Sequence, residues 1–133
     1  MNTARVTYDP IEDILFIDTA GARVETKADI DALFDGILAD WRATCKGRKV
    51  YVVVAYDGFS VNLRENDYYA ERMSAAVAVF AKTVVRYGGD TLTRSAARLR
   101  GVKLHSPSNL YESRSQALEV VRGLRAGRVS LSG

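Results

Sequence analysis

Hydrophobic positions along the chain change period several times, and each change marks an element. Arg5 to Tyr8 and Ile14 to Asp18 are short apolar or β-branched runs separated by Asp9-Pro10-Ile11-Glu12-Asp13, which is turn chemistry, so they predict two strands joined as a hairpin. From Ile30 the apolar positions fall at Leu33, Phe34, Ile37, Leu38 and Trp41, the i, i+3, i+4, i+7 spacing of an amphipathic helix. Thr26 with Asp29 three residues later predicts its capping box, and Gly47 its end. Val50 to Tyr56 is almost continuously apolar, which predicts an interior strand covered on both faces.

A second helix is expected from about Asp67, with Tyr69, Met73, Ala76, Val77 and Phe80 on one face. Thr83 to Tyr87 is β-branched and aromatic and reads as a strand, and Gly88-Gly89 breaks the chain. Asp90 then caps a short helix with Leu92, Ala96 and Leu99 as its apolar positions and Gly101 at its end. A short strand near Asn109 to Tyr111 precedes the Ser113-x-x-Gln116 capping box of a last helix, whose apolar face is Ala117, Leu118, Val121 and Leu124. Strands alternating with helices imply right-handed crossovers. The expected fold is therefore α/β: a mixed, mostly parallel sheet of about five strands, an N-terminal β-hairpin and about four helices. One domain is expected over residues 1–128, with a disordered tail at 129–133.

Composition narrows the function classes. The chain has 133 residues, 47% hydrophobic and 26% charged, which is globular usage. A single cysteine, Cys45, and a single histidine, His105, exclude an internal disulfide and a Cys/His zinc cluster. No apolar run approaches a membrane span and the first residues lack a signal-peptide core, so a soluble, cytoplasmic protein without cofactor is expected. Charge is uneven: up to Asp67 there are 8 Lys/Arg against 12 Asp/Glu, and from Tyr68 onward 11 against 4. No Arg/Lys stripe interleaves with aromatics, so the basic half reads as a face for an acidic partner rather than for nucleic acid.

The motif order resembles the STAS fold (sulfate transporter and anti-sigma factor antagonist) in its STAS-like, SpoIIAA-like form. A closer likeness is to the C-terminal appendage of propionate CoA-transferase-like acyl-CoA:acetate/3-ketoacid CoA-transferases. The residues that carry the likeness are Gly21-Ala22-Arg23-Val24, Asp29-Ile30-Asp31-Ala32, Gly47-Arg48-Lys49-Val50, Val54 to Phe59, Asp67-Tyr68-Tyr69, Arg86-Tyr87 and Tyr111-Glu112-Ser113, spanning about residues 6–125. Three departures matter, one of them the absence of the transferase part with its catalytic Glu. Gly88 to Arg94 replaces the appendage's Thr-Thr-x-Ala-Phe stretch, and Phe59-Ser60-Val61-Asn62 departs from the phosphorylation motif of anti-sigma antagonists. The resemblance implies a non-catalytic interaction or regulatory domain, accessory to acyl-CoA metabolism, since the transferase region is absent.

Two candidate sites follow. Asp57, Phe59, Ser60 and Asn62 occupy the loop after the expected central strand, where open α/β sheets place their ligands. With Tyr68 on the next helix they form a candidate surface for another protein or a second copy of this chain. The alternative is a module for a phosphate- or carboxylate-bearing small molecule. Its residues are Thr91 and Thr93 at a helix start with Arg94 and Arg98 four apart, and Arg100 and Lys103 widen the positive patch. His105 has no evident nucleophile and orienting carboxylate beside it, and Cys45 reads as an ordinary thiol, so no catalytic residue is expected.

Overall fold

The computed structural model describes residues 4–127; the expected tail at 129–133 lies outside them. Arg5–Asp9 (β1) and Ile14–Asp18 (β2) form the antiparallel hairpin, its turn held by Asp9 Oδ1, which accepts the amides of Ile11 and Glu12 at 2.9 and 3.2 Å. After a two-residue strand, Arg23–Val24 (β3), the first helix runs over Lys27–Cys45 (α1). Its start is the expected box: Thr26 accepts from the Asp29 amide, and Asp29 accepts from the Thr26 amide. Lys46 closes it in the left-handed conformation, one residue before Gly47.

Val50–Ala55 (β4) is the central strand, paired in parallel with β2 on one side and with Ala81–Tyr87 (β6) on the other. Between them come Ser60–Val61 (β5), a single 3-10 turn at Leu63–Glu65, and Asn66–Phe80 (α2). The chain continues through Thr91–Leu104 (α3), Leu110–Tyr111 (β7) and Arg114–Arg125 (α4). The main sheet is ordered β1-β2-β4-β6-β7, so the fold is a mixed, mostly parallel α/β sheet with four helices, as the sequence predicts. Among the described residues, no helix is long and apolar enough to cross a membrane.

Strand alternation divides the core. Leu15, Ile17, Val50, Val52 and Val84 meet Ile30, Phe34, Ile37 and Trp41 of α1 and Tyr69 and Phe80 of α2. Ile14, Val53 and Val85 point the opposite way and are covered by Ala117 and Val121 of α4. Both faces of β4 are therefore covered, which is why its sequence lacks polar alternation.

Three features depart from the sequence reading. The first is the small parallel sheet of β3 and β5, two residues each, too short to register as a period. The second is the end of α3, which passes through Gly101 and stops at His105, in the left-handed conformation. Gly101 serves close approach rather than termination: a Cβ there would lie 2.9 Å from the Ser106 carbonyl oxygen, where the chain folds back on the helix. The third is the buried side of α3. Thr93, Ala96, Ala97 and Arg100 face inward, whereas Leu92 and Leu99, expected to be buried, are 59% and 61% exposed. The two alanines let α3 lie close to α2, where the Asn66 side-chain Nδ2 donates to the Ala96 carbonyl, and wide leucines would hold the helix off.

Candidate functional site

The carboxyl ends of β4 and β6 bring both sequence-derived candidate sites together. Asp57 lies just past the carboxyl end of β4, and its Oδ1 accepts the Gly89 amide at 3.0 Å. Gly88 makes this possible. Its φ is +78°, and a Cβ there would meet the Asp57 carboxylate at 2.5 Å. Asp57 thus anchors the turn between β6 and α3.

Phe59 is 2% exposed, stacks on Tyr56 with ring centroids 5.5 Å apart, and tilts against Tyr69. It is a core plug, so its side chain cannot be the docking contact that the sequence placed there. Ser60 belongs to β5, where its amide donates to the Ala22 carbonyl at 3.1 Å. Asn62 caps the 3-10 turn through the Arg64 amide and ties it to the chain leaving β3 by donating to the Glu25 carbonyl. Tyr68 is half-buried, and its hydroxyl donates to Asp31 of α1 at 2.6 Å. The proximity of that carboxylate raises the Tyr68 hydroxyl above its ordinary range. These residues hold the region together more than they present it.

The helix start is likewise engaged. Asp90 takes the Thr93 amide at 2.8 Å, which keeps the Asp90 carboxyl below its usual range. The Thr93 hydroxyl donates to the Phe59 carbonyl at 2.8 Å, while Thr91 is exposed. Arg94 does not point to solvent. Its Nη1 donates to the carbonyls of Gly88 and Tyr111 at 3.1 and 3.0 Å, and its Nη2 to Glu112 at 3.3 Å, so it fastens the β6 turn to β7. Arg98 and Lys103 remain exposed. Arg100 does not widen a surface patch, because it is 2% exposed and donates inward to Asn66 and to the Tyr56 hydroxyl. His105 supplies a backbone cap to α3, and Cys45 is buried at the end of α1.

What reaches solvent is a different set. Leu92, Leu99 and Val102 are spaced i, i+7, i+10, which aligns them along one outer side of α3, with Val102 73% exposed. Next to Leu92, a recess of about 40 Å³ is lined by Ser60, Val61, Leu63, Asp90 and Ala96, and Leu63 itself is half exposed. No acidic residue occurs within Thr91–Leu104. The signal for this surface was legible in Thr93, Ala96, Ala97 and Arg100, whose i, i+3, i+4, i+7 spacing competes with Leu92, Ala96 and Leu99 for the inward side. Arg100, a cation by type, obscures that spacing in the sequence. Compared with known proteins, the chain matches no protein family, no curated protein and no solved structure.

Proposed function

We propose that this chain is a non-catalytic, STAS-like interaction or regulatory domain whose docking surface is the outer side of α3 together with the Leu63 recess. One observation carries the reading: Leu92, Leu99 and Val102 share an exposed apolar stripe on a helix whose charged side chains are all basic. Exposed apolar side chains aligned along one helix side and rimmed by charge favour a protein partner over solvent. The rim selects the partner's chemistry. Arg98 and Lys103 beside the stripe would meet carboxylates, so the fitting partner is an acidic amphipathic segment of another protein rather than a second, equally basic α3. The STAS-like motif order from Gly21 to Ser113 supports a place beside acyl-CoA metabolism.

The test is recovery of partners from the native cell with wild type, Leu99→Glu and the double variant Arg98→Glu/Lys103→Glu. A partner whose contacting segment is acidic and amphipathic, retained by wild type and lost by both variants, supports the reading. Equal recovery by all three, or recovery of the chain itself alone, contradicts it.

A further inference from the structure

Arg86 and Arg100 converge on one buried point from different elements. Arg100 comes from α3 and Arg86 from β6, with 2% and 8% of their surfaces exposed. Among the described residues, neither guanidinium has a carboxylate within ion-pair distance. Arg100 is nevertheless well supplied. It donates to Asn66 Oδ1 at 2.8 Å and to the Tyr56 hydroxyl at 3.3 Å, and it lies 4.5 Å from the centre of the Tyr69 ring.

Arg86 is supplied less well. Its Nη1 donates to the Ser108 carbonyl at 2.9 Å, but its Nη2 faces Met73 Sδ at 3.3 Å, and a thioether is a weak acceptor. Beside it lies a small, mostly apolar cavity of about 30 Å³, whose lining includes Arg86, Tyr56 and Met73 among side chains such as Val52, Val84 and Phe80. The Tyr56 hydroxyl accepts from Arg100, which leaves its own proton to be donated. Two buried cations without a carboxylate, a donor held by sulfur and a second donor at the same void are the fittings of an anion site.

We propose that this cavity binds a small monovalent anion of chloride or formate size, held by Arg86 Nη2 and the Tyr56 hydroxyl. The volume sets the class. A water needs roughly 10–15 Å³, so about 30 Å³ admits a water or two or one small ion and is too small for sulfate, phosphate or an acyl chain, while the Arg86 charge favours the anion. The electrostatics agree. Burial pushes the Tyr56 hydroxyl up, yet the Arg100 and Arg86 charges outweigh it and draw it below its ordinary range, whereas burial raises Tyr69. The bound anion would lower the surplus positive charge under α3, independently of what docks on the outer side of that helix.

Thermal unfolding of the whole chain at constant ionic strength tests this, with sodium chloride or formate exchanged against sodium gluconate, whose anion is too large. Chloride and formate should raise the midpoint saturably, as mass action requires, and gluconate should not. Arg86→Met should weaken that response about tenfold or more by removing the charge-assisted donor, while Arg98→Ala leaves it unchanged. Should Arg86→Met fail to fold, Tyr56→Phe serves as the second variant, with a smaller weakening expected. A bromide-grown crystal should carry its anomalous peak against Arg86. Equal midpoints in chloride and gluconate, an undiminished response in the variants, or a cavity holding only water in bromide would overturn the proposal.

Discussion

The Thr93 hydroxyl donates to the Phe59 carbonyl across 2.8 Å, which fixes the first turn of α3 onto the chain leaving the central strand. Asp57 reaches the Gly89 amide from the same loop, and Arg100 enters the core two turns further along the helix. Bonds at Thr93, Ala96 and Arg100 hold the inner side of α3 in place, and Leu92, Leu99 and Val102 stay outward. The exposed stripe is thus a consequence of the polar and small residues on the opposite side.

Leu99→Glu should leave stability within about 0.5 kcal/mol of wild type, because an exposed position away from the core tolerates polar replacement. Ala97→Leu, on the buried side of the same helix, should cost ~1–3 kcal/mol by overpacking. Denaturant unfolding of the two variants measures the contrast. Comparable losses would mean that Leu99 is packed.

Phe59→Ala should cost ~3–5 kcal/mol, the range for a large buried aromatic, since the ring lies between Tyr56 and Tyr69. A loss below about 0.5 kcal/mol would instead mark Phe59 as a surface contact.

Arg94 and Arg98 should separate, although they sit four residues apart. Arg94→Ala removes donors to two backbone carbonyls and should destabilise by roughly 2 kcal/mol. Arg98→Ala should be nearly neutral, as expected of a solvated arginine. Equal effects at the two positions would contradict the role of Arg94 in joining β6 to β7.

Stability should fall in acid. Burial pushes the Asp13 carboxyl up, but the Tyr8 hydroxyl at 2.7 Å and the Lys82 ammonium at 3.3 Å outweigh it and hold it below its usual range. Glu12, bonded by Arg122 and Arg125, is held low for the same kind of reason. A carboxyl lowered in the folded state contributes stability above its unfolded pKa, and that contribution is lost as pH falls through the folded value. The loss should begin at about pH 4 and proceed downward. Asp13→Asn should flatten this acid limb in denaturant unfolding followed against pH, and an unchanged slope would exclude Asp13 as a contributor.

The fold was legible where side chains repeat over several turns or where a run is long enough to lack alternation. Ile30 to Trp41 and Val50 to Ala55 are such cases, and the Thr26–Asp29 box is local chemistry that any context preserves. The strands β3 and β5 were hidden because a two-residue strand has no period and exists only through its partner. The site was harder to read, since a polar side chain's direction depends on tertiary partners. Arg94 and Arg100 look like surface cations in sequence and turn inward because carbonyls, an amide oxygen and two tyrosine rings await them. Phe59 sits at the expected loop, but its ring fills space beneath α3.

Site-specific crosslinking tests the docking surface most directly. A photoreactive residue placed at position 99 in the native cell should form an adduct with an acidic amphipathic segment of another protein. Arg98→Glu/Lys103→Glu should diminish that adduct, and the same residue at exposed Glu119 on α4 should not form it. Adducts absent at position 99, confined to copies of this chain, or unaffected by charge reversal would contradict the account.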